Sequence, residues 1–444
     1  MNKSIYFSSL GCPKNLVDSE VMLGRLVSAG WNVVPNQTDA DCIVVNTCGF
    51  IESAVEEGID NILELAQEKE KGRCRRLIVA GCLPQRYGEA LLQELPEVDL
   101  FLGTGAFNEI VPAVEGTLGA NKIFLPLPEN ASSTLPLWKA RIRSTPGYTA
   151  YLKVAEGCSN RCSYCIIPQL RGALRSRPID EILEEARFLA DNGVRELILV
   201  AQETTCYGVD LYGKSRLSLL LAELAKIPEF FWIRFLYCHP DRVDEELVER
   251  VAMCETLCNY FDIPIQHISE PILKRMGRPS NAKKILGLFR DIRNKIPDAA
   301  LRTTLMVGFP GETEEDFNKL LNMLEEAQFD HVGVFPYSNE NDLPSCRLRK
   351  HISEEVKEER RSIVMSMQAR ISKQKNQKRV GKTYKAVIEG YSEETDLLLK
   401  ARTYFQAPDI DGLTYISQGK ADIGQWVDVL ITEAHEYDLI GEIL

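Results

Sequence analysis

Two hydrophobic periods divide this chain. Over residues 1–125 short apolar runs (SIYFSSLGC, DCIVVNTC, RLIVAGC) each give way to stretches with apolar positions every three to four residues, such as NLVDSEVMLGRLVSAG and IESAVEEGIDNILELAQEKE. A short run of that kind suits a strand buried on both faces, and the longer stretch suits a helix laid over it. The alternation predicts a doubly wound α/β domain built on a parallel sheet. Residues 126–147 (PLPENASSTLPLWKARIRSTPG) hold four prolines and no period, and they read as a linker.

Over residues 148–352 the alternation returns at greater length. Six strand candidates, TAYLKVAEG, ELILVAQ, FFWIRFLYC, NYFDIPI, LRTTLMVGF and HVGVFPYS, are separated by helical stretches. Six βα units in a row predict a partial or complete (β/α) barrel with its site at the C-terminal ends of the strands. A charged helix is expected over 353–380 as a connector. From 381 to 444 the period drops to two, in TYKAVIEG, GLTYIS and QWVDVLIT, with Gly/Asp turns between them. This predicts a small antiparallel β-barrel.

Composition narrows the functional classes. No apolar run approaches the roughly 18–20 residues of a membrane span, and MNKSIYFSSLGC lacks the layout of a signal peptide. A cytoplasmic protein with no membrane partner is expected. In that compartment the 13 cysteines are metal ligands or small buried apolar residues rather than disulfides. The formal charge of −12 speaks against a generic nucleic-acid binder, whose domains carry a basic surplus.

The densest chemistry is EGCSNRCSYCIIP, which places Cys158, Cys162 and Cys165 in a C-x3-C-x2-C arrangement directly after the first barrel strand. Thiolate sulfur is the soft ligand iron–sulfur clusters take. Three ligands on a four-iron cluster leave one iron open to a small molecule. A zinc site or a chance spacing are the alternatives, but structural zinc sites come as paired C-x2-C units and no matching pair lies nearby. The spacing, with Tyr164 before the last cysteine, resembles the radical S-adenosylmethionine superfamily. Two more strand ends fit that resemblance: AQET, with Gln202 and Glu203, and VGFPGET, with Gly308, Pro310 and Gly311. The resemblance implies cofactor contacts at these positions, and Arg302 is a candidate partner for the cofactor's carboxylate.

Cys12, Cys48 and Cys82 share no local spacing, but each ends a predicted parallel strand, in SSLGC, VVNTC and VAGC. Ligands of open α/β sheets collect at the carboxyl ends of the strands, so three thiols would converge there. Gly11 and Gly81 would relieve crowding around a second cluster. The alternative is three small apolar residues capping strands. The remaining cysteines lack such convergence, and His239 and His267 follow barrel strands without an evident partner.

With both triads in view the chain resembles the methylthiotransferase family. GCPKN, NTCGF and AGC match that family's own domain, the middle matches its radical domain, and the last 64 residues resemble its TRAM domain. One branch of the family modifies an adenosine of tRNA. The other, RimO, modifies an aspartate of small-subunit ribosomal protein twelve. LGCPKNLVDSE (10–20), IPIQHISEPILKRMGR (263–278) and APDIDG (407–412) resemble the second, whereas PYSNENDLPS (336–345) departs from its usual pattern. From Gly381 to Leu444 five Lys/Arg stand against twelve Asp/Glu, a net charge of −7. That sign disfavours a phosphate backbone and suits a basic protein. The resemblance implies two 4Fe-4S clusters, S-adenosyl-L-methionine, an electron donor and the ribosomal protein as substrate. One cluster would generate the radical and the other would hold the sulfur that is methylated. tRNA methylthiolation and a non-catalytic iron–sulfur module that docks on ribosomes are the rival functions.

Overall fold

The computed structural model describes residues 3–119, 121–130, 137–393, 395 and 398–444. Residues 131–136 of the expected linker lie outside them. The first region forms strands β1 (Ser4–Ser9), β2 (Asn32–Val33), β3 (Cys42–Thr47), β4 (Arg76–Gly81), β5 (Leu100–Leu102) and β6 (Ile123–Phe124). They make one parallel sheet in the order β2-β1-β3-β4-β5-β6. The unbroken apolar runs follow from cover on both faces. Ile43, Val45 and Val79 pack under Ile62 and Leu65 of the helix Glu52–Ala66. Their neighbours Val44, Ile78 and Ala80 pack under Met22 and Leu26 of the helix Pro13–Ser28. The strand order reverses between β1 and β3, which is where such sheets open a crevice at their carboxyl ends.

The central region runs through β7 (Thr149–Lys153), β8 (Ala155–Glu156), β9 (Arg175–Ser176), β10 (Glu196–Val200), β11 (Trp232–Phe235), β12 (Tyr260–Asp262), β13 (Ala300–Val307) and β14 (His331–Pro336). All six expected strands form. They pair in parallel as two three-stranded sheets, β11-β10-β7 and β12-β13-β14. A parallel bridge between Ile233 and Leu257 joins the sheets. The barrel is therefore partial. β8 and β9 form a short antiparallel ribbon that the sequence pattern did not reveal, and it pinches off the loop carrying Cys158, Cys162 and Cys165.

The charged helix spans Glu354–Gln377 and sends Val364 and Ile371 into the core of the partial barrel. Beyond it, β15 (Thr383–Tyr391), β16 (Leu399–Thr403), β17 (Thr414–Gln418), β18 (Trp426–Ala434) and β19 (Leu439–Ile443) close a barrel in the order β15-β16-β17-β19-β18. It is not wholly antiparallel as expected. β18 returns on the far side of β15, so β19 closes the gap by running parallel to β17.

This small barrel covers the N-terminal ends of the central strands. Arg402 reaches Glu196 at the start of β10, with Nη2 to Oε2 at 2.5 Å and Nη1 to Oε1 at 2.9 Å, and Arg234 approaches the same carboxylate at 3.3 Å. Trp426 stacks edge-on to Trp232, 4.3 Å between centroids. The APDIDG turn enters beneath the strands, where Asp411 accepts the Tyr260 hydroxyl at 2.6 Å. Among the described residues no helix is long and apolar enough to cross a membrane.

Candidate active site

Cys12 caps the start of the helix Pro13–Ser28, Cys48 follows β3, and Cys82 opens the short helix Cys82–Tyr87. The adjacent parallel strands β1, β3 and β4 bring the three to one edge. A Cβ on Gly11 would sit 2.9 Å from the Cys48 Cβ, and one on Gly81 would strike Asn46 and Thr47. Both glycines have positive φ, +93° and +100°, so the close approach and the backbone alike require them. Burial, reinforced by neighbouring Cys82 and Cys12, pushes the Cys48 thiol up to about 11. Burial also raises Cys82, against the opposing pull of Arg171.

Cys158, Cys162 and Cys165 lie in the loop between β8 and β9. The Cys158 N–H donates to Gly172 O at 3.1 Å, Cys165 N–H to Cys162 O at 3.2 Å, and Asn160 N–H to the Cys158 Sγ at 3.5 Å. Burial pushes Cys165 up to about 12, opposed by the Ile167 N–H and reinforced by Cys162 and Cys158. Arg278 braces the same loop: its Nε donates to the Tyr164 hydroxyl at 2.9 Å and its Nη1 to Pro264 O at 2.7 Å. Among the described residues no three His, Cys, Asp or Glu side chains approach closely enough to share one metal ion. In a cluster each thiolate binds its own iron, so a triad need not share an ion.

Gln202 donates its Nε2 to Glu156, and its buried Oε1 has no hydrogen-bond partner among the described residues. Glu203 accepts Arg242 Nη1 at 2.9 Å, and Arg242 Nη2 in turn donates to Asn160 Oδ1 at 2.9 Å. Both residues thus reach the Cys158 loop. The Gly308–Gly311 turn is explained by packing within the chain. A Cβ on Gly308 would strike Lys357 and one on Gly311 would strike Arg275, while Pro310 O accepts Arg275 Nη1 at 3.0 Å. Arg302 is paired with Asp262 at 2.9 Å and with Asp411 at 3.4 Å. Two carboxylates already hold its guanidinium, so its contacts lend no support to a role on the cofactor's carboxylate. His239 and His267 each accept a nearby backbone N–H at Nδ1 and stand as loop histidines.

Three family models tile the chain: an uncharacterised family, UPF0004, over residues 4–103, the radical SAM superfamily over 152–324 and the TRAM domain over 380–444. The chain is 51% identical over 436 residues to the ribosomal protein uS12 methylthiotransferase RimO of Geobacter sulfurreducens, spanning 98% of this chain and 97% of that one. It is 48% identical over 447 residues to the enzyme of the same name from Clostridioides difficile, spanning 99% and 98%. The chain belongs to the RimO family. Among solved structures, the radical S-adenosylmethionine methyltransferase TsrM from Kitasatospora setae superposes with a TM-score of 0.55 at 16% identity, over 76% of this chain and 75% of that one. That likeness concerns the fold.

In this member of the RimO family the two triads are tied together by residues that no local motif marks. Arg171 is buried and sits between them. It donates to the Cys82 Sγ at 3.3 Å, to Asn15 Oδ1 at 3.1 Å and to Asp18 Oδ2 at 2.6 Å, and lies 3.4 Å from Glu156 beside the second triad. Lys153 joins Asp18 to Glu156 as well. Burial alone would raise the Glu156 carboxyl, but Lys153 and Arg171 outweigh it and hold it at about 2. Lys14, two residues after Cys12, rests over the Tyr237 ring at 3.4 Å. Tyr237 follows β11 with a left-handed φ of 65°. Asn15, Asp18, Arg171 and Tyr237 are separated by up to more than two hundred positions, so only the fold brings them together. The signal available in sequence was the charge inside LGCPKNLVDSE, where Lys14 and Asp18 interrupt an amphipathic helix on its buried side.

Proposed function

We propose that this chain methylthiolates the β-carbon of an aspartate in small-subunit ribosomal protein uS12, acting in the cytoplasm on or near the ribosome. The observation that carries the reading is the pair of cysteine triads at the carboxyl ends of two adjoining parallel sheets, bridged by Arg171. Cys158, Cys162 and Cys165 would hold a 4Fe-4S cluster that supplies the electron for cleaving S-adenosylmethionine, and Cys12, Cys48 and Cys82 would hold one that supplies the sulfur, its methyl group coming from a second S-adenosylmethionine. An unactivated C–H bond needs such chemistry, since acid–base groups alone do not break it.

The chain's own residues supply position and charge. Metal would displace the protons of the three thiols of each triad, so cluster loading releases protons to solvent. Arg171 donates to Cys82 and steadies the anionic sulfur. Gln202 Oε1, buried and without a hydrogen-bond partner among the described residues, would accept an N–H of the amino group at the cofactor's amino-acid end. Arg278, bound to Tyr164 beside Cys162 and free of any carboxylate within ion-pair distance among the described residues, would pair with the cofactor's carboxylate. Arg242 and Glu203 fix the Asn160 turn around Cys158. The acidic last domain lacks the charge that would draw a tRNA backbone.

The test is anaerobic incubation of cluster-loaded protein with a one-electron reductant, S-adenosylmethionine and either uS12 or tRNA. The expected result is 5′-deoxyadenosine together with uS12 heavier by one methylthio group in place of hydrogen. Modified tRNA with unmodified uS12 would replace the substrate, and absence of 5′-deoxyadenosine would reduce the chain to an iron–sulfur binding module.

A further inference from the structure

Eight lysine or arginine side chains are buried among the described residues. Six of them meet a carboxylate: Arg141 with Glu20, Arg171 with Asp18, Arg234 and Arg402 with Glu196, Lys357 with Glu354 and Arg360 with Glu312. Arg278 instead has the Tyr164 hydroxyl and a backbone carbonyl. Lys14 is different. It is only 8% exposed, and no carboxylate lies within ion-pair distance among the described residues. The Tyr237 ring beneath it holds an ammonium in place without neutralising it.

Cys12 is the anion-forming group that acts on it from its own loop, and a buried cation that no carboxylate pairs is costly and persists where a further anion arrives. The support beneath it is built. Tyr237 is held in its left-handed conformation by Asp262 Oδ2, which accepts the Tyr237 N–H at 2.9 Å, and by Thr204, whose N–H donates to the Tyr237 carbonyl at 3.0 Å. Backbone strain of this kind clusters at ligand sites. The position is equally specific. Lys14 follows Cys12 by two residues, and Tyr237 ends a barrel strand, so the ammonium lies between the N-terminal triad and the mouth of the barrel. A carbon that loses hydrogen at one triad and gains sulfur at the other has to come close to both.

We propose that Lys14 binds the side-chain carboxylate of the substrate aspartate and selects an acidic side chain at this site. The inference rests on the function proposed above and adds the residue that orients its substrate. The carboxylate carbon is bonded directly to the β-carbon that reacts. An ammonium holding that carboxylate therefore fixes the β-carbon beside the N-terminal triad, and it offsets the repulsion between the carboxylate and the anionic sulfurs there. A neutral base or an asparagine amide would leave the buried charge unpaired, which is how a polar site rejects an uncharged analogue.

The test uses the full chain with both clusters loaded anaerobically, in wild-type, Lys14→Met and Lys14→Arg forms. Binding is measured to a peptide of the uS12 loop carrying the aspartate and to the same peptide with asparagine. Iron and sulfide content and the low-temperature spin-resonance spectra are recorded alongside. Lys14→Met is expected to weaken the aspartate peptide by about tenfold or more, the loss of one charge-assisted bond. Its affinity for the asparagine peptide should match wild type, with cluster content and spectra unchanged. Lys14→Arg should recover part of the affinity. Equal affinity of wild type and Lys14→Met for the aspartate peptide, in a wild-type protein that modifies it, would overturn the role of Lys14 alone. Equal weakening of both peptides with loss of iron would make Lys14 a support of the cluster instead. A wild-type protein that leaves the aspartate peptide and uS12 unmodified would overturn the function and this role with it.

Discussion

The two ends of the partial barrel differ in how completely buried cations are paired. At the end covered by the small β-barrel, Glu196 sits between Arg402 and Arg234, and Asp411 faces Arg302 and Tyr260. Every buried cation there has a carboxylate. At the cysteine end Arg171 has Asp18, but among the described residues Lys14 and Arg278 have no carboxylate within ion-pair distance. Paired charge locks two domains together, while unpaired charge marks where a ligand completes the structure. Arg302 illustrates the rule: it has the residue type wanted at a cofactor but belongs to the paired end.

The largest effects come from removing the cysteines. Cys162→Ala should abolish both 5′-deoxyadenosine release and methylthiolation and remove about four irons. Cys48→Ala should also abolish methylthiolation and lose a like amount of iron. It should keep releasing 5′-deoxyadenosine, because the loop of Cys158, Cys162 and Cys165 is built within the other domain. Chromatography of the nucleoside with mass spectrometry of uS12 reads both. If Cys48→Ala keeps its full iron content, the N-terminal triad is not a cluster site.

Arg402→Met and Arg278→Met compare the two ends directly. Removing Arg402 leaves buried Glu196 with Arg234 as its cation and the Thr149 hydroxyl as a second donor, and breaking a buried pair from one side costs about 3–5 kcal/mol. Arg278→Met should cost much less stability but sharply weaken cofactor cleavage. Denaturant melts and single-turnover assays separate the outcomes, and equal stability loss in both variants would erase the contrast. The first pair also sets an acid limit. Burial acts to raise the Glu196 carboxyl, but Arg402 and Arg234 outweigh it and lower it. Its contribution is therefore complete above the unfolded carboxylate value of about 4.3 and is lost as pH falls through the lower native value. Acid melts should show the docked state failing at higher pH in Arg402→Met than in wild type.

Legibility in sequence follows the same division. The strands were readable because burial on both faces leaves unbroken apolar runs, as in DCIVVNTC. The C-x3-C-x2-C loop was readable because its geometry is local. Cys12, Cys48 and Cys82 needed one further step, the knowledge that parallel strands end at one edge. Beyond that the sequence is silent: Arg171 meets Cys82, and Lys14 meets Tyr237, only after two domains pack. The partners of Arg302 were not legible, because they come from β12 and from the APDIDG turn, the latter more than a hundred residues further on. β16 and β19 were missed because short alternating segments carry little signal until a barrel closes around them.

The smallest expected effect lies at the paired end and concerns Trp426. Its ring makes edge contacts with Trp232 at 4.3 Å and Phe231 at 5.3 Å, yet its buried indole N–H has no acceptor among the described residues. Phenylalanine would keep an aromatic edge and forfeit some contact, about 0.5–1.5 kcal/mol for such pairs. It would also remove an unpaired buried donor, whose burial costs about 1–3 kcal/mol. The terms oppose and are of like size, so Trp426→Phe should leave the melting transition almost unmoved. Domain docking at this end then depends on Glu196 and its two arginines far more than on the aromatic seam. A loss above about 2 kcal/mol, beyond what the lost contact explains, would reverse that ranking and give the indole N–H a partner.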